Sequence, residues 1–116
     1  MRKYYGTIAT PSLAQTVVVI EAPDPQPVDL AGGPFAWGDM EARTINLGRA
    51  LLADALRGTV WTGEEQDRLV QHNQIRFARQ HLAGQPPGES WFITQAYVLT
   101  WIRQYADELD AVVADS

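Results

Sequence analysis

The step Gly33-Pro34-Phe35-Ala36-Trp37-Gly38, followed closely by an apolar run over residues 45–56, limits what this chain can fold into more than any other feature. Glycines and a proline turn the backbone on either side of two large aromatics. The run beyond has helical spacing, so a short extended segment should deliver the chain into a helix. On such a strand Phe35 and Trp37 share one face, where they are expected to cap a core.

The helix read from that run covers residues 44–57, with Ile45, Leu47, Ala50, Leu51, Leu52, Ala55 and Leu56 on its stripe and Gly58 placed to stop it. Gly48 costs ~1 kcal/mol against Ala inside a helix. That cost predicts a close approach by another group, for which Trp37 is the expected neighbour. Thr62-Gly63-Glu64-Glu65 has the capping-box spacing and predicts a second helix over residues 63–82, ended by Gly84 and Pro86-Pro87. Its stripe of Val70, Phe77 and His81, joined by Gln66 and Gln74, is thin and partly polar, which places this helix outermost. Trp61, just before the cap, is expected to staple onto it. Thr94 caps a third helix whose Val98, Trp101, Ile102, Tyr105, Leu109 and Val112 recur at steps of three and four, with residues 111–116 fraying.

Strand character gathers in residues 3–9 and 16–22, parted by Pro11 and Ser12, and again at Trp91-Phe92-Ile93. The first two form an expected antiparallel pair. Val17 and Val19 take one face and Val18 and Ile20 the other, so this strand is expected to be central or covered on both sides. Three prolines and Asp24 over residues 22–27 read as a loop near the sheet edge, with residues 28–30 returning briefly as strand. The sum is an α+β fold: one domain over residues 1–116, with a small, mostly antiparallel sheet of three or four strands packed against three helices.

At 116 residues the chain can bury a core without staples, and its apolar share of 46% agrees. With no cysteine it has no disulfide, thiolate metal site or thiol nucleophile, and a cytoplasmic setting is expected. Neither a signal-type apolar stretch near the start nor the short run at residues 17–20 suits a membrane, so the chain reads as soluble and unprocessed. A net charge of −5 opposes indiscriminate binding to nucleic acid phosphates.

Tyr4-Tyr5-Gly6, Phe35-Ala36-Trp37-Gly38, the helix containing Ala50-Leu51-Leu52-Ala53-Asp54, the basic and aromatic run around Phe77, and residues 91–102 together resemble a small uncharacterised family. Its members are domains of unknown function in bacteria, phages and mobile elements. The resemblance implies a compact α+β fold and a phage or mobile-element setting, with no activity attached to any residue. Where that family has a Gly-rich stretch ending in Gly-Pro before the first helix, this chain has residues 39–44.

Chemistry-bearing patterns are sparse. His72 and His81 stand nine residues apart, about half a helical circle, and neither has a His, Asp or Glu within four residues. No serine lies in a nucleophile motif, and no glycine cluster forms a phosphate loop. Asp39 and Glu41 lie between the aromatic step and the first helix, where paired carboxylates could do acid–base work. Solvated acids favoured by a helix N-terminus explain them without any chemistry.

Arg68, His72, Arg76 and Arg79 occupy one arc of the second helix, about 80° wide. Glu64 pairs naturally with Arg68, and Ile75 and Leu82 interrupt the stripe. An ordinary solvated face accounts for the arc first; as a contact, an arginine face of this kind suits a protein better than a phosphate track.

The expected function is therefore a non-enzymatic interaction protein of phage or mobile-element type. It would bind a host protein or protein complex and inhibit a defence system such as CRISPR, with Arg68, His72, Arg76 and Arg79 as the contact. No catalytic residue, cofactor, metal or membrane partner is indicated. Two other readings stand beside it: a nucleic-acid-associated regulator using the same arginine face, and a small enzyme with carboxylate chemistry at Asp39 and Glu41.

Overall fold

Alternation decides the sheet. In the computed structural model, which describes residues 2–8 and 14–115 apart from the side chains of Pro25 and of 107–116, the first two β-rich segments pair antiparallel as β1 (Arg2–Ile8) and β2 (Gln15–Glu21). Tyr4, Val17 and Val19 point inward and are buried, while Tyr5, Val18 and Ile20 point outward and stay half-buried. The strand order is β3-β2-β1-β4, with β3 at Asp24–Asp29 and β4 at Trp91–Thr94, and every neighbouring pair is antiparallel. β2 is thus interior to the sheet, as expected, but covered on one face rather than both.

The sheet departs from the sequence reading at two places. Residues 24–29 pair as a strand despite Pro25 and Pro27, because this strand is an edge and a proline's missing N–H can face away from the ladder. The register of the pair shifts between Val19 and Glu21. Phe35-Ala36-Trp37 forms no strand. Long-range polar contacts hold it instead: the Trp37 indole donates to the Pro86 carbonyl at 3.2 Å, and the Gly38 amide donates to the Leu82 carbonyl at 3.0 Å. Phe35 and Trp37 are still both buried, as their spacing requires.

The three helices are α1 (Ala42–Leu56), α2 (Gly63–His81) and α3 (Gln95–Asp115). Leu47, Leu51, Leu52, Ala55 and Leu56 bury the stripe of α1, and Gly58, at φ +74°, turns the chain after it. The capping box on α2 is complete, with Thr62 accepting from the Glu65 amide and Glu65 accepting from the Thr62 amide. Trp61 is half-buried against the core beside that cap, and its carbonyl accepts from Gln66 Nε2 at 2.9 Å. Thr94 Oγ1 accepts from the Tyr97 amide at 3.1 Å and caps α3.

α2 buries a narrow face, Leu69, Val70, Asn73, Phe77 and Ala78, against α1 and α3 and exposes more of its surface than α1, as its thin stripe implies. Asn73 can be buried because its amide donates to the Leu69 carbonyl at 2.9 Å. The group that crowds Gly48 is the backbone of α2, not Trp37: a Cβ there would lie 2.9 Å from the Gln74 carbonyl oxygen and 3.4 Å from Ala78 Cβ. The expectations for Pro11, Ser12, Leu109, Val112 and the fraying of 111–116 fall outside the described residues and side chains.

One continuous core joins Tyr4, Val17, Val19 and Trp91 of the sheet to Leu47, Leu51, Leu69, Phe77, Val98 and Ile102 of the helices. All three helices therefore lie over one face. Among the described residues none of the helices covers the other face, which carries Lys3, Tyr5, Thr7, Thr16, Val18, Ile20, Phe92 and Thr94.

Candidate functional site

The arginine face of α2 is assembled as its spacing requires, with Arg68, His72 and Arg79 exposed. Its charge is partly taken up within the chain. Arg68 pairs with Glu64 at 2.6 Å, an exposed i,i+4 bridge of the kind that contributes roughly 0–1 kcal/mol. Arg76 is half-buried, with its guanidinium 4.1 Å from the centre of the Tyr105 ring.

Asp39 and Glu41 are both exposed. The Asp39 carboxylate accepts from the Glu41 amide at 2.9 Å and from Thr44 Oγ1 at 2.8 Å, thereby bracing the first turn of α1. These two bonds, the amide's first, hold the Asp39 carboxyl below its ordinary value. A general acid needs the opposite shift.

A third arrangement is centred on His81, at the end of α2. Its ring lies 4.9 Å from Phe77, 5.4 Å from Tyr97 and 5.6 Å from Trp101, measured between centroids. Burial pushes the imidazole below its ordinary pKa, and its Nε2 has no hydrogen-bond partner among the described residues. The Trp101 indole instead donates to Gln80 Oε1 at 2.8 Å.

Outward from this cluster lies a groove of about 290 Å3 lined by His81, Gln85, Phe92, Ile93, Thr94 and Tyr97. At its rim Phe92 is 65% exposed and Tyr97 51%. Phe92 stacks on Tyr5 across the β1–β4 ladder, with centroids 6.0 Å apart and planes at 29°. The aromatic pair therefore sits on the helix-free face, next to the groove.

Composition and spacing did not single out Tyr5, Phe92, Tyr97 or His81 as a group. The signal available was the doubling of aromatics in Tyr4-Tyr5 and Trp91-Phe92. Neighbours on a strand face opposite ways, so a sheet covered on one side must leave one member of each doublet outside.

A buried carboxylate was also missed. Asp54, on α1, receives Arg2 Nε at 2.6 Å, Arg2 Nη2 at 2.8 Å and the Tyr4 hydroxyl at 2.6 Å. Burial alone would raise the Asp54 pKa, but the hydrogen bonds from Arg2 and Tyr4, with the charge of Arg2, outweigh it and hold the group ionised. Burial first, then the Asp54 contact, raises the Tyr4 hydroxyl. With every partner accounted for, this cluster ties β1 to α1.

Among the described residues no group of three or more His, Cys, Asp or Glu is placed to hold a metal ion, and no helix is long and apolar enough to cross a membrane. Comparison with protein-family models, curated proteins and solved structures finds no match.

Proposed function

We propose that this chain is a non-enzymatic interaction protein that binds a host protein or protein complex through the aromatic end of its helix-free sheet face. The observation that carries this reading is Phe92, 65% exposed and stacked on Tyr5 where no described helix covers the sheet. Exposed aromatics of this kind are enriched at protein interfaces. The perturbed acids support a contact function over catalysis, since Asp39 is spent on a helix turn and Asp54 on Arg2 and Tyr4.

The family resemblance supplies the setting: a phage or mobile element acting in the host cytoplasm, with a defence complex such as a CRISPR effector as the partner class. The lack of cysteine fits that reducing compartment. A second reading, a nucleic-acid-associated regulator, draws on the exposure of Arg68, His72 and Arg79 along one face of α2.

Affinity capture from host lysate, comparing the native chain with Phe92→Ser and with Arg76→Glu/Arg79→Glu, tests the two together. A protein partner lost with the first variant and kept with the second is expected. Binding to nucleic acid that weakens steeply with salt and is lost only with the charge reversals would replace the first reading by the second.

A further inference from the structure

The two edges of the sheet are built differently. β3 carries Pro25 and Pro27 and the acids Asp24 and Asp29, devices that keep another strand from adding to an edge, and its pairing with β2 shifts register between Val19 and Glu21. β4, with the sequence Trp-Phe-Ile-Thr, has no proline, charge or bulge. β1 lies on one side of it and, among the described residues, no strand lies on the other. Among the described residues no backbone bond from another element reaches Trp91, Phe92 or Ile93 on that side.

The aromatic groove runs along this unprotected edge. Phe92 and Thr94 face outward and Ile93 inward, since they pair with Tyr5, Lys3 and Tyr4 respectively. A concavity that touches all three residues must lie beside the strand, where both faces and the backbone are within reach. Its far wall is His81 and Gln85 from the end of α2 and Tyr97 from the first turn of α3. At about 290 Å3 it stands at the small end of the roughly 300–1,000 Å3 typical of small-molecule pockets. It also runs along backbone groups of β4 that, among the described residues, pair with no other strand.

We infer that a partner protein donates an extended segment to β4, adding a fifth strand in this groove. This rests on the protein-binding reading above and specifies its mode. Backbone groups of the segment would pair with the open side of β4, which no helix or small ligand matches along its length. Alternate side chains of the segment would fall against Phe92 on the outer face and into the space before His81 and Tyr97 on the inner.

Those inner walls are uncharged at neutral pH, because burial keeps the His81 imidazole neutral, so the residues seated there are apolar or neutral polar. The net charge of −5 favours basic residues flanking the segment. It also works against a second copy of the same chain, which would bring an equal negative charge and a second His81–Gln85–Tyr97 wall to the same edge.

The test selects peptides from a random library against the full chain and remakes the tightest binder with N-methyl groups at alternate residues, in two registers. Only every second N–H of an added strand faces its neighbour. One register should therefore lose binding by about tenfold or more while the other keeps it. Amide shifts should move at Trp91–Thr94, and Phe92→Asp, verified as folded by circular dichroism, should bind at least about tenfold more weakly.

Equal tolerance of the two registers, or shifts centred on Arg68, His72, Arg76 and Arg79, overturns strand addition and leaves the protein-binding reading in place. A selection that yields no peptide at β4 overturns it too. So does a chain that sediments as a dimer broken by Phe92→Asp, which would make a second copy the occupant. The lysate capture judges the protein-binding reading separately.

Discussion

Trp91 and Phe92 are adjacent in the chain, yet the first is 9% exposed and the second 65%. Trp91 turns toward the helices, where its ring meets Trp37 edge-on at 5.5 Å and lies over Gly6, whose missing side chain leaves the room. Phe92 turns away and stacks on Tyr5. The same contrast separates Tyr4 from Tyr5 and Val17 and Val19 from Val18 and Ile20. Two aromatic residues of similar hydrophobicity thus do opposite work. One stabilises the fold, and the other keeps apolar surface in water at a cost that only a contact would recover.

Replacing the two in turn should separate those roles most sharply. Trp91→Ala is expected to destabilise the chain by ~3–5 kcal/mol in urea unfolding, the range for a large aromatic removed from a core. Phe92→Ser should stay within ~0.5 kcal/mol of the native chain while abolishing capture of the partner. Equal losses of stability would mean that the outer face is core after all.

A smaller effect tests the helix layer. Gly48→Ala improves helix propensity by ~1 kcal/mol. On an exposed helix that change would stabilise. Here the new Cβ would press on the Gln74 carbonyl, part of the α2 backbone, at a cost of about 1–3 kcal/mol, so a net loss of up to about 2 kcal/mol is expected in the same assay. A rise in the unfolding midpoint would show that α1 and α2 can part without cost.

The smallest effect is a pH dependence that belongs to the inner side alone. Burial holds the His81 imidazole below its ordinary 6.5, so on acidification the unfolded chain takes up this proton before the folded one. Its contribution to stability is complete above about pH 6.5 and is lost as pH falls through the lower, folded value. Unfolding midpoints at roughly pH 7.5 and pH 5.5 should differ more for the native chain than for His81→Phe. The carboxylates give a separate loss at still lower pH: Asp54 and Asp39, both held below their ordinary 3.8, stabilise above that value and cease to as they protonate. Phe92→Ser should alter neither slope.

Local pattern made the helices legible, because their signals are close in sequence. The Thr62–Glu65 box and the Thr94 cap each act over three residues, and both are present as read. What escaped depends on distant partners. Trp37 looked like strand because alternation was the only local clue, whereas its indole is anchored to Pro86, 49 residues on. Pro25 and Pro27 argued against a strand because composition cannot tell an edge from a centre.

The arginine arc of α2 was found as a face, but the ring of Tyr105 beneath Arg76 was beyond local reading. The aromatic groove was least visible of all. It draws on the end of α2, on β4 and on the first turn of α3, and no one of these segments looks unusual alone.

β4 passes into α3 without a connecting residue: Thr94 closes the strand and Gln95 opens the helix. That junction has no slack. A load applied to the strand is delivered directly to a rod of 21 residues, roughly 31 Å long at 1.5 Å per residue. Whatever occupies this short margin therefore bears at once on the first turn of the longest helix, which Val98, Trp101 and Ile102 fix in the core.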